Sequence, residues 1–75
     1  MSYSKYLIPI CDIEAGSVWI KSVMAKSIPE CKEKIMNYLI EYYDFDYDSD
    51  YSDFVKWLDE SQNILIGKIT DIDEI

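Results

Sequence analysis

Arginine and histidine are absent from this 75-residue chain, and glycine and proline occur only twice each. Without histidine, neither Cys11 nor Cys31 has a near-neutral general base, and there is no imidazole to complete a zinc site. The two cysteines also match no metal-ligand or redox spacing. Paired carboxylates can act as acid and base, but they need a cleft that a chain of this size has little room to build. An enzyme, a cofactor and a specific metal centre are therefore not expected. The apolar run before Asp12 is only five residues, Leu7 to Cys11, too short for a signal peptide or a membrane span. The expectation is a cytoplasmic protein whose thiols are free and buried.

Positive charge is scarce as well. Seven lysines stand against fifteen acids, a net charge of −8. Such a chain is repelled by nucleic acid and by anionic lipid surfaces, while its field favours encounters with basic partners or cations. The imbalance is concentrated: residues 1–40 carry a balance of +1 and residues 41–75 one of −9.

What the chain does have is enough apolar and aromatic material to fold. Apolar residues make up 49% and aromatics 15%, well above what disordered chains carry in spite of the charge. The length fits one compact domain over 1–75, near the size at which a single core only just outweighs chain entropy.

"KYLIPICD" and "SVWIKSVMAKS" are rich in β-branched and aromatic residues and flank "DIEAGS", where Gly16 is able to take a positive φ; this reads as a β-hairpin. Pro9 lacks an amide donor, which places the first strand at an edge or interrupts it there. Along the second strand Trp19, Lys21 and Val23 alternate with Val18, Ile20 and Met24. The lysine makes the second set the expected core side.

"SIPE", Ser27 to Glu30, is a helix start: a serine cap, proline in the first turn, and a glutamate able to reach back to the cap amide. Ile28, Cys31, Ile35, Leu39 and Tyr42 then recur at steps of three and four, widened by Met36, Ile40 and Tyr43. A second helix begins near Asp50 or Ser52, with Asp50 and Asp53 as capping acids and Phe54, Trp57 and Leu58 as its apolar face. "SQN" ends it, and "ILIGKITDI" reads as a closing strand in which Gly67 marks a bulge or a close backbone approach. The expected fold is a small α+β domain, order β-β-α-α-β, with a three-stranded antiparallel sheet and two helices on one face.

Between the helices lies "EYYDFDYDSDYSDF", residues 41–54. Asp44, Asp46, Asp48 and Asp50 recur at every second position, which in an extended segment puts them on one side about 6.6 Å apart, comparable with successive phosphates along a nucleic-acid strand. Phe45, Tyr47 and Tyr51 would point the other way, as anchors or as partner contacts. A plain solvated loop would tend to intersperse lysines. A calcium loop would need acids at positions one, three, five and twelve with glycine at six. A frame from Asp44 puts Ser49 at six and Val55 at twelve, and a frame from Asp48 puts Asp53 at six. Neither supplies the glycine, which leaves at most weak divalent-cation binding.

In size, acidity, lack of arginine and histidine, and this clustered Asp/Tyr segment, the chain resembles the small acidic anti-CRISPR and anti-restriction inhibitors of phages and mobile elements that imitate nucleic acid. Those inhibitors share no common fold, so the resemblance implies a mode of action. It implies stoichiometric binding to the basic nucleic-acid channel of a CRISPR effector, a restriction nuclease or another DNA-binding protein. The residues that would carry it are Glu41, Asp44, Asp46, Asp48, Asp50, Asp53, Asp59 and Glu60, with Tyr43, Tyr47 and Tyr51 as contact aromatics. The rival reading is an accessory domain that docks through an apolar sheet face or edge strand, near Trp19 and Val23, with the acids serving solubility alone.

Overall fold

The computed structural model describes residues 2–72; Met1 and residues 73–75 of the expected domain lie outside the described residues. Two long strands, β1 (Ser4–Asp12) and β2 (Ser17–Ala25), form a hairpin closed by the pair Asp12 and Ser17. Gly16 takes the positive φ of 68° that its turn requires. Helix α1 (Ile28–Tyr43) follows, then α2 (Tyr51–Trp57), which widens into a π-helical turn over Leu58–Gln62 before β3 (Ile64–Ile66) and β4 (Thr70–Asp71). Among the described residues the fold is thus α+β with two helices, and its antiparallel sheet has four strands where three were expected.

The extra strand comes from a break in the third. Both β3 and β4 pair with β1: Ile10 lies opposite Ile66, but Leu7 lies opposite Thr70, so the closing segment spends one residue more than β1 over the same span. That is a β-bulge, which sets Lys68 and Ile69 against Ile8, and Pro9 and Gly67 face each other at its edge. The Gly67 amide donates to the Pro9 carbonyl at 2.8 Å. Since a strand residue directs its N–H and C=O to the same side, the donor that Pro9 lacks would have pointed at Gly67, on the side where the closing strand breaks, and not at β2. Pro9 therefore sits in the central strand, and its partner is interrupted instead.

The core-side assignment of β2 is reversed. In β1, Tyr6, Ile8, Ile10 and Asp12 are buried, and they stand opposite Val23, Lys21, Trp19 and Ser17. Residues directly opposite share a face, so Trp19, Val23 and Ala25 turn inward and Val18, Ile20 and Met24 turn to solvent. Lys21 is tolerated on the inner face because β2 is an edge strand: its ammonium lies over the Tyr38 ring, 4.4 Å from the centroid.

Helix α1 starts as expected, with Ser27 Oγ accepting from the Glu30 amide. The Glu30 carboxylate reaches the amide of Lys26, one residue before the cap, and pairs with Lys34 at 3.3 Å. Cys31, Ile35 and Leu39 face the sheet and join Phe54 and Leu58 from the second helix in one core. Ile28 and Tyr42 fall at its exposed margin.

A Cβ built on Gly67 would sit 2.5 Å from Pro9 Cγ, on a ring too stiff to move aside. Gly67→Ala is expected to cost about 1–3 kcal/mol in urea unfolding, and most of that cost should vanish in a Pro9→Ala background. An equal cost in both backgrounds would contradict this packing.

Candidate functional site

The acidic segment is held at both ends by helix caps. At its start α1 closes in a Schellman motif: Asp44 adopts φ 58°, the Phe45 amide donates to Ile40 O at 2.9 Å, and the Asp44 amide donates to Glu41 O. At its end Asp50 caps α2, with its Oδ1 accepting from the Asp53 amide at 2.8 Å. Asp53 in turn accepts from the Ser49 hydroxyl at 3.2 Å.

Between the caps the chain alternates. Asp44, Asp46 and Asp48 are exposed, while Tyr43, Phe45 and Tyr47 are half-buried against the core. The rings interlock: Phe45 stacks on Tyr43 (5.1 Å between centroids) and meets the edge of Trp57 (5.0 Å), while Tyr47 stacks on Trp57 (4.7 Å) and leans on Phe54 (5.2 Å). Each such pair contributes about 0.5–1.5 kcal/mol beyond the area buried. At the spacing of an extended chain, neighbouring carboxylates repel by about 0.6 kcal/mol in water before screening. Ring packing outweighs that repulsion.

A hydrogen bond ties the segment to the hairpin. Tyr43 donates its hydroxyl to Asp12 Oδ2 at 2.8 Å, and the other carboxylate oxygen accepts from the Ala15 amide at 3.1 Å. Burial, then the bond to Asp12, push the Tyr43 hydroxyl well above the usual tyrosine pKa. Asp12 was not among the expected functional residues, because only the folded chain brings it to a residue 31 positions away.

The structure therefore divides the expected site residues by role. Glu41, Asp44, Asp46 and Asp48 lie exposed along the end of α1 and the following segment, and Asp50 and Asp53 lie exposed at the start of α2. Asp59 and Glu60 sit exposed in the π turn. Among the described residues no lysine forms an ion pair with any of these eight acids. Tyr43, Tyr47 and Tyr51 are half-buried; burial raises the Tyr51 pKa, and the Lys32 ammonium lies 5.5 Å from its ring centroid. These three rings anchor the segment and present only part of their surface, whereas Tyr42, 61% exposed, is the open aromatic at this end of α1.

The opposite surface of the molecule has a different character. Val18, Ile20, Met24 and Leu65 are exposed on the outer face of the sheet, beside a shallow depression of about 190 Å³ lined by Pro9, Cys11, Val18, Leu65 and Gly67. Trp19 and Val23, the residues first assigned to a docking face, are turned toward the helices.

Among the described residues no group of three or more Cys, Asp or Glu side chains converges on a point where a metal ion could be held, and no helix is long and apolar enough to cross a membrane. Compared with protein-family models, with curated proteins and with solved structures, the chain matches none.

Two outcomes follow from this geometry. Asp50→Ala removes a helix cap and is expected to cost about 1 kcal/mol in urea unfolding, whereas Asp50→Asn, which still caps, should cost almost nothing. Tyr43→Phe deprives Oδ2 of the buried Asp12 carboxylate of the Tyr43 donor and should cost about 1–3 kcal/mol at pH 7. The sign of the pH effect is fixed by the raised folded-state pKa. The Tyr43 contribution is fully present below about pH 10, where the unfolded tyrosine keeps its proton, and is lost as pH climbs from there toward the folded value. Unfolding measured between pH 8 and 11 should show a shallower alkaline decline for Tyr43→Phe than for the parent, with Tyr51 maintaining part of the slope.

Proposed function

We propose that the protein is a stoichiometric inhibitor that occupies the basic nucleic-acid-binding channel of a nuclease or other DNA-binding protein, in the manner of anti-CRISPR and anti-restriction mimics. The observation that carries this reading is the alternation at residues 43–48: carboxylates out, rings in, with no lysine among the described residues paired to the outward charges. A segment fixed before binding loses little conformational entropy when it docks. Its carboxylates stand where a Lys/Arg-lined channel would otherwise hold phosphates. Asp44, Asp46, Asp48 and Asp50 form the centre of the contact, extended by Glu41 on one side and by Asp53, Asp59 and Glu60 on the other. The setting that suits this function is the cytoplasm of a bacterial host.

The aspartates can be neutralised without harming the fold. Asparagine is well tolerated in the left-handed conformation of Asp44 and caps a helix as well as Asp50 does. The test uses tagged protein and its Asp44/46/48/50→Asn variant as baits in host lysate, eluted with a salt gradient or with duplex DNA. The parent is expected to retain a nucleic-acid-binding protein that DNA competes off and that moderate salt releases, because the attraction is screened within about 8 Å at physiological ionic strength. The variant should retain none of it. Equal capture by both baits would overturn the proposal, and loss of capture on Ile20→Lys alone would transfer binding to the sheet face.

A further inference from the structure

We propose that the outer face of the sheet is a self-association surface, on which a second copy of this chain packs sheet to sheet. The strand registers arrange this face in rows. Val18, Cys11 and Leu65 lie side by side in one row, and Ile20 and Pro9 lie beside the Gly67 bulge in the next. Leu7 follows between Ser22 and Thr70, and Lys5 stands opposite Met24. Both helices pack on the other side of the sheet, so these rows meet solvent: Val18 is 73% exposed, Ile20 64%, Met24 52% and Leu65 42%.

Charge selects the occupant. In a chain with fifteen acids, the rows hold no carboxylate among the described residues and a single lysine, Lys5. Among the described residues a basic partner would find no carboxylate to pair with there, whereas two copies can bring these apolar faces together while their acidic segments stay on the helix side. The face is built from alternate residues of antiparallel strands. Two such faces related by a two-fold axis meet as an aligned β-sandwich, with the inner side chains interdigitating.

Area sets the strength. Strands of this length and spacing give a face of about 400 Å², so a pair of copies would bury about 800 Å² in total, below the roughly 1,200–2,000 Å² of standard stable interfaces. An interface of that size makes a weak dimer, one that forms as the concentration is raised. It is independent of the acidic-face function and has the opposite response to salt. Screening weakens attraction to a basic target, but it relieves the repulsion between two anions and leaves apolar burial in place.

Sedimentation equilibrium of the full chain from about 5 to 500 μM, at 0.05 and 0.5 M NaCl, tests this directly. The weight-average mass should rise from 8.8 kDa toward twice that value over the series, and the rise should be at least as large at the higher salt. Val18→Lys and Ile20→Lys replace exposed side chains; each should keep the parent far-UV circular dichroism and hold the mass at the monomer value. The Asp44/46/48/50→Asn variant should associate at least as well as the parent. A parent that stays monomeric throughout would overturn the proposal and leave this face to a different protein, and association unaffected by either lysine would equally contradict it.

Discussion

Trp57 and the rings packed around it are the constraint on which the second half of the molecule depends. Phe45 meets its edge and Tyr47 stacks on its face, so a segment that lies outside any helix or strand is still held against the core. Because the chain between the caps alternates, fixing Phe45 and Tyr47 inward fixes Asp46 and Asp48 outward. The charge display is therefore a consequence of aromatic packing. The carboxylates are held apart at a modest cost in repulsion, and ring contacts of larger total magnitude offset it.

The two ends of that segment are anchored by different means, and both reach into the rest of the fold. At one end the Schellman turn at Asp44 closes α1 while Tyr43, one residue before it, bonds to Asp12 at the end of β1. At the other, Asp50 starts the helix that places Phe54, Trp57 and Leu58 under the segment. The central strand β1 is in this sense the reference for the whole molecule. It registers β2, receives the interrupted closing strand across the Pro9 and Gly67 contact, and ends at the carboxylate that positions the acidic edge. The result is a domain with two unlike surfaces, one anionic at the helix ends and one apolar on the outside of the sheet.

Much of this was readable from local chemistry. Ser27 and Asp50 announce helix starts because capping needs only a few neighbouring residues, and both caps form. The inward rings and outward acids of residues 43–48 follow from a period of two. What was not readable depends on pairing between distant segments. Pro9 and Gly67 each signalled an irregularity, but only the register shows that one fits the other and that the closing strand breaks in two. Both faces of β2 are apolar enough to be core, and Lys21 pointed to the wrong one, since its long stem lets an edge-strand lysine lie on the inner side with its charge over Tyr38. Tyr43 gave no sign that its hydroxyl would meet Asp12. A tyrosine at the end of an amphipathic helix reads as margin, and a buried aspartate at a hairpin corner reads as turn.

The central claim is that the acidic segment is a preformed surface, ordered in the free protein by its rings. Backbone ¹⁵N relaxation of the isolated chain reports on it most directly. Amides of residues 45–49 are expected to show order parameters near those of α1 and α2, about 0.8 or above, and values below about 0.6 would contradict the account by making the segment a flexible tether whose aspartates have no fixed arrangement.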